Sequence, residues 1–320
     1  MPLPYQDATQ VVTNNGLRTQ YGIILPPGAK VAAYVRSTGI QNDGNDAFLS
    51  QNLVTTLAAG LARVRAGFGD FVVCLPGHTE NVTDATTFSN ALVTGTKIIG
   101  VGRGSNTPTF TWATSTAAQW LVAVNDVVIT GLRLQLAGPA GVGNNTILPL
   151  TVTGNDFGFY FNEVETGNGT GNAVTAMSVT GTATRFDISS NFFRNASFGN
   201  TNCLVISSTG RDGRIADNEM LAGTVTTNGL INVTGAAVNL KILRNYINNF
   251  TASSVAGIVL ANVAISGQCA YNNITVLNTG AVVSGTTGIT IGAAVTMGFF
   301  QNFVVNDVLK SGLLLPTVDT

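Results

Sequence analysis

From Arg185 to Asn248 apolar and polar positions return at a fixed interval. Ile188, Asn191 and Phe193 are answered by Ile215, Asn218 and Met220, and again by Ile242, Asn245 and Ile247, with a spacing of 27 between successive asparagines. The same triplet recurs upstream as Phe159, Asn162, Val164, and downstream as Cys269, Asn272, Ile274 and Phe299, Asn302, Val304. Still further upstream the column runs into Ile129, Leu132, Leu134 and then Ile98, Val101, with Arg103 at the last position. A period of this size defines how a chain stacks on itself, so it is read before any local motif.

A second column runs about half a period away, through Leu121, Leu148, Met177, Leu204, Leu230, Ile258 and Ile289. Most of these residues open a short β-prone run bounded by Gly, Ser, Asn and Thr. Two or three strands per repeat predict a coiled sheet in which each coil lies about 4.8 Å above the last and like residues stack on like. The apolar columns then form the core. Asparagines at a bend are expected to take the left-handed conformation while their amides bond along the stack.

This arrangement resembles the right-handed parallel β-helix of the pectin-lyase-like kind, where an inward asparagine ladder marks a bend. The resemblance spans residues 40 to 305 and places Asn162, Asn191, Asn218, Asn245, Asn272 and Asn302 in the ladder. It implies an all-β fold: one single-stranded β-helix of about eight coils over residues 71–305. That architecture carries lyases, hydrolases, tailspikes and inert virion parts alike, so it speaks to fold and not to activity.

Residues 1–40 have no period. Prolines 2, 4, 26 and 27 suggest an extended arm, and Tyr21–Leu25 and Val31–Val35 are apolar enough to be draped on a neighbouring subunit. Residues 41–70 read as a capping turn and helix. Asp46 would cap it, Leu49, Leu53, Leu57, Leu61 and Val64 recur at helical spacing, Arg63 and Arg65 suit the last turn, and Gly67 ends it. A helix there would cover the open strand edges of the first coil. Residues 306–320 are expected to form a tail or cap. The order Asp-Gly turn, helix, strand Phe71–Pro76, then Gly77-His78-Thr79-Glu80 resembles the entry to the β-helix in phage tailspikes, and Leu75–Glu80 is similar to phage structural proteins.

Composition narrows the function. Charged residues make up 10% of the 320, the net charge is -1, and mean hydropathy is +0.30. A surface so poor in charge suits burial against other subunits. Without a Lys/Arg cluster it does not suit nucleic acid. No apolar run reaches the roughly 18 residues of a membrane span, and Met1–Tyr5 does not read as a leader, so folding in a host cytoplasm is expected. Cys74, Cys203 and Cys269 each sit in a β-prone run and are expected as buried free thiols.

Candidate chemistry is sparse. His78 is the single histidine and the obvious acid or base, but no nucleophile motif accompanies it, and a turn histidine bonded to backbone is the simpler account. Glycines 100, 102 and 104 lack the spacing and the following helix of a phosphate loop, and read as tight corners of an early coil. Asp217 and Glu219 flank Asn218, Glu163 flanks Asn162, and Arg244 flanks Asn245 one coil above Asp217. Two carboxylates with a nearby arginine could serve a glycoside hydrolase or a lyase. The plainer account is a stacked surface ion pair. The outer flank of the asparagine column, which includes Phe192, Tyr246 and Phe303, reads instead as a contact surface.

The expectation is a non-enzymatic phage virion protein, without metal or cofactor, that decorates or cements the capsid. Its partners would be the major capsid protein and itself, as a trimer of rods, with the arm engaged on neighbours. A tailspike that binds or cleaves host glycan is the alternative, although only Trp112 and Trp120 could add tryptophan platforms.

Overall fold

The computed structural model describes residues 25–37, 52–112, 117–136, 149–166, 175–195, 202–222, 229–249, 256–262, 264–276, 288–292 and 295–306, with the backbone of 12–13, 16–17 and 312–314. Through these residues the chain is a right-handed parallel β-solenoid, the sense that the twist of L-residue strands favours for parallel crossovers. Seven full coils carry three strands each, one in each of three parallel sheets. In the fifth coil they are Arg214–Ala216, Glu219–Ala222 and Ile231–Val233. Thr296–Phe300 and Asn302–Asn306 then begin an eighth.

Like residues stack as the period requires. In the first sheet Ile98, Ile129, Phe159, Ile188, Ile215, Ile242 and Cys269 are successive partners and fully buried. Phe110, Leu134, Val164, Phe193, Met220, Ile247 and Ile274 do the same in the second. Phe110, not Arg103, continues this column. Val101–Thr107 are looped out before it, with a 3-10 turn at Gly104–Asn106 and positive φ at Gly102 and Gly104. The third sheet corrects the second sequence column: Trp120, Leu150 and Ile231 stack with Met177, Leu204, Ile258 and Ile289. Leu121 pairs with Thr151 on the outer side, Leu230 precedes its strand, and Leu148 lies outside the described residues. An apolar run does not say which of two neighbours points inward, and a slip of one reverses the face.

The N-terminal end departs furthest from expectation. Val31–Val35, expected in the arm, is a strand of the first sheet, parallel to both Phe71–Cys74 and Leu53–Val54. Its apolar residues are better buried in a sheet than on a partner. Asp70 fastens it: the fully buried carboxylate accepts the N–H of Lys30 at 3.0 Å, the N–H of Arg65 at 3.1 Å and two guanidinium bonds at 2.8 and 2.7 Å. The capping helix is only Leu57–Leu61 (α1), started by Thr56, whose Oγ1 accepts from the Ala59 N–H at 3.3 Å. Leu53 belongs to a strand because it meets Tyr34, and Arg65 serves Asp70 instead of a last helical turn. Asp46 and Leu49 lie outside the described residues, as do residues 1–11, 14–15, 18–24 and 38–40 of the expected arm, and with them all of the Tyr21–Leu25 segment but Leu25. A second helix not expected from the sequence, Thr87–Ala91 (α2), stacks Phe88 on Trp120 with ring centroids 4.6 Å apart. At the other end Gly312–Leu314 pairs antiparallel with Asn302–Val304 and covers the last edge of the second sheet.

Candidate functional site

The first and second sheets are joined by two residues in every coil from the second to the seventh, as between Ala216 and Glu219. The first of the two is left-handed: Gly131, Phe161, Ser190, Asp217, Arg244 and Tyr271 have φ between 52° and 72°, and Gln301 continues the column at 45°. The asparagines come second and are not left-handed, contrary to the sequence expectation. The turn is made by the residue before them. Their work is to satisfy the backbone that this turn leaves unpaired.

Each buried asparagine does so twice over. Asn218 Nδ2 donates to the Ile188 carbonyl one coil below at 2.9 Å and to Asn245 Oδ1 one coil above at 3.0 Å, while its own Oδ1 accepts the backbone N–H and Nδ2 of Asn191, both at 3.0 Å. The same set joins Asn191, Asn245 and Asn272 to their neighbours. The ladder begins where the Leu132 N–H donates to Asn162 Oδ1 at 3.0 Å, and it ends at Asn302, whose Oδ1 accepts from Asn272.

Outside this bend runs a ridge that holds the candidate catalytic residues. Asp217 is clamped in two bonds by Arg244, Oδ1 to Nε at 2.7 Å and Oδ2 to Nη2 at 2.8 Å, and Arg214 reaches the same Oδ2 at 3.2 Å. Hydrogen bonding from Arg244 holds the Asp217 carboxyl below the usual carboxylate range despite partial burial, and the bond raises Arg244 in turn. Arg214 also pairs with Asp187 at 2.9 Å. Glu163 lies 3.6 Å from Arg133, which binds Glu165 at 2.8 Å. Glu163 and Glu219 share one outer column, but Phe192 stands between them. They are therefore two coils, or about 10 Å, apart. The chain brings Asp217 and Arg244 together but does not converge Glu163, Asp217 and Glu219 on one point.

The aromatic flank is present and larger than the sequence suggested. Tyr246 and Phe303 are exposed on the outer column and Phe192 is half-buried. Phe161 at 71% and Tyr271 at 54% exposure stand at left-handed positions four coils apart, with Phe300 beside Tyr271. The signal for these was the residue before each asparagine, which the triplet counts as variable.

His78 falls on the asparagine column of the entry coil, since Thr79 pairs with Thr109 and Thr109 with Arg133. Gly77, at φ 74°, is its left-handed predecessor. The ring is fully buried, edge-on to Phe110, with Nε2 3.2 Å from Glu80 Oε2. Glu80 occupies a core column and accepts the Leu57 N–H at 2.7 Å, so the pair holds the start of α1. Beside it a cleft of about 290 Å³ lies between the two helices, lined by Glu80, Asp84, Thr87, Phe88 and Trp120. Asp84 accepts from Thr87 Oγ1 at 2.6 Å and from the N–H groups of Thr87 and Thr86, which hold its carboxyl down at about 2. Both carboxylates thus serve helix starts.

The three cysteines are free and buried, and burial pushes Cys203 and Cys269 up to about 12. Among the described residues no three His, Cys, Asp or Glu are grouped to hold a metal, and no helix is long and apolar enough to cross a membrane.

Fold and bend together define a parallel β-solenoid protein with an internal asparagine ladder. No protein-family model, curated protein or solved structure matches this chain.

Proposed function

We propose that this solenoid is a non-enzymatic structural protein of a phage virion, a capsid decoration or cement protein of the pectin-lyase-like architecture whose outer ridge is an assembly face. The observation that carries the reading is how the ridge is used. Its central carboxylate, Asp217, is already bonded to arginines of its own chain. Its exposed apolar side chains, Phe161, Tyr246, Tyr271, Phe300 and Phe303, are all aromatic. A carboxylate held by a bidentate arginine is a poor proton donor and a weakened base. Exposed aromatic residues are what protein interfaces are enriched in. The likeness of Leu75–Glu80 to phage structural proteins supplies the setting, and the segment before Leu25 supplies the attachment to the capsid.

The test is direct. Immunogold labelling of particles from a phage that carries this gene should decorate the head. Label confined to the tail, together with reducing ends or unsaturated sugars released from host polysaccharide by the pure protein, would move the assignment to a tailspike.

A further inference from the structure

The ridge is self-complementary when it is reversed. Its left-handed column reads Phe161, Ser190, Asp217, Arg244, Tyr271, Gln301 along the axis. Turned end for end about the midpoint between Asp217 and Arg244, that column sets Asp217 against Arg244, Ser190 against Tyr271, and Phe161 against Gln301. The column just before it, read from the strand register, is Tyr160, Ser189, Ala216, Leu243, Ala270, Phe300. Reversed about the same point it sets ring on ring at its ends, Tyr160 with Phe300, while Ser189, Ala216 and Ala270 between them are buried within their own chain and leave the contact to the left-handed column.

We propose that the ridge is closed by a second copy of the chain running antiparallel, about a two-fold axis perpendicular to the solenoid between the coils of Asp217 and Arg244. This rests on the reading of the ridge as an assembly face and names its occupant. Charge decides the direction. Parallel copies, including the three-fold bundle that the composition suggests, set Asp217 beside Asp217 and Arg244 beside Arg244 at equal heights, and like charges in register oppose association. Antiparallel copies extend the intrachain pair into an alternating Asp-Arg-Asp-Arg ring, and an isologous contact of this kind stops at two.

Backbone conformation points the same way. A bulky side chain at positive φ is strained by roughly 1–2 kcal/mol, yet Phe161 and Tyr271 stand there with φ 54° and 59° and their rings outward. Strain kept at exposed positions is a mark of function, and here it aims two rings at the partner.

Sedimentation of the full chain at micromolar concentration should give the mass of a dimer. Chains carrying Ser190→Cys, mixed with chains carrying Tyr271→Cys and oxidised, should form the mixed disulfide, because the native cysteines are buried. Arg244→Asp should weaken association at least tenfold, and adding Asp217→Arg in the same chain should restore it, with circular dichroism confirming the fold of each variant. A monomer, a trimer, or Tyr271→Cys chains that link only to one another would overturn the antiparallel pair. Labelling of the phage head is unaffected by any of these results, so the dimer and the virion assignment fail separately.

Discussion

Asn245 Oδ1 accepts two bonds from Asn218, one from its backbone N–H at 3.1 Å and one from its Nδ2 at 3.0 Å. One oxygen therefore closes both the turn of its lower neighbour and the ladder itself. Asn218→Leu takes the acceptor of the Asn191 backbone N–H, one of the acceptors of Asn191 Nδ2 and the side-chain donor to the Ile188 carbonyl, so it should lower unfolding free energy by about 3 kcal/mol. Asn162→Leu should cost less, because Asn162 Oδ1 receives only the backbone N–H of a leucine. Urea titration of the two variants ranks them. Equal losses would show that the ladder does not carry its bonds in series.

Asp70 should be a second point of weakness. Burial alone would raise its pKa, but bonds from the Arg65 side chain and from the amides of Arg65 and Lys30 outweigh burial and hold it below the usual range. A depressed folded value means stability that is present at neutral pH and is lost as pH falls below about 4, through that value. Asp70→Asn should cost about 3 kcal/mol at pH 7, and should flatten the acid limb of the stability curve. An unchanged acid limb would remove Asp70 as its source.

How much of this was legible in the sequence follows from what repeats. Ile188, Asn191 and Phe193 recur because each contacts its own counterpart one coil away, so the period, the core columns and the ladder could be read without coordinates. Phe161 and Tyr271 could not, because that position tolerates Gly, Phe, Ser, Asp, Arg, Tyr and Gln in turn. What is common there is a backbone angle and not a side chain. The N-terminal cap is hard to read from sequence for a related reason. Leu53, Leu57 and Leu61 fit a helical stripe, but Leu53 is claimed by Tyr34, from a strand 19 residues upstream that no local pattern ties to it. His78 reads from the sequence as a lone acid or base, whereas its place in the ladder column, and that of Glu80 in the core column, explain the two as the link to α1.

Phe161→Asn should remove left-handed strain, since asparagine tolerates that conformation, and raise the stability of the isolated chain by about 1 kcal/mol. It should at the same time weaken self-association. Unfolding measured at two protein concentrations separates the effects, because only the associated form gains stability with concentration. A variant that loses stability when dilute would contradict the strain.

Glu80→Ala leaves the Leu57 N–H and the His78 ring without their shared acceptor. A loss of about 1–3 kcal/mol is expected, accompanied by faster proteolytic cleavage near α1. His78→Asn should be milder, since asparagine is the residue that the column carries in later coils. Cleavage at the parent rate in Glu80→Ala would detach that carboxylate from the cap.

Asp217→Asn with Glu219→Gln should leave the fold intact, since an exposed pair contributes under about 1 kcal/mol, and should leave capsid binding by the expected arm unchanged. Melting temperature and particle binding are the two readouts. A polysaccharide-cleaving activity present in the parent and absent in this variant would reinstate the pair as catalytic.

The bend and the opposite corner differ in how freely they change length. Two residues separate Ala216 from Glu219 and likewise Tyr160 from Glu163, whereas six lie between Asn195 and Asn202 and fourteen between Gln135 and Leu150. The ladder forbids insertion at the first corner, because one extra residue would take an asparagine out of line with both neighbours. The corner between the second and third sheets changes length from coil to coil while the strands on either side of it stay in register. Foreign peptides should therefore be graftable there, coil after coil, which would make the solenoid a ruler for displaying epitopes at steps of about 4.8 Å.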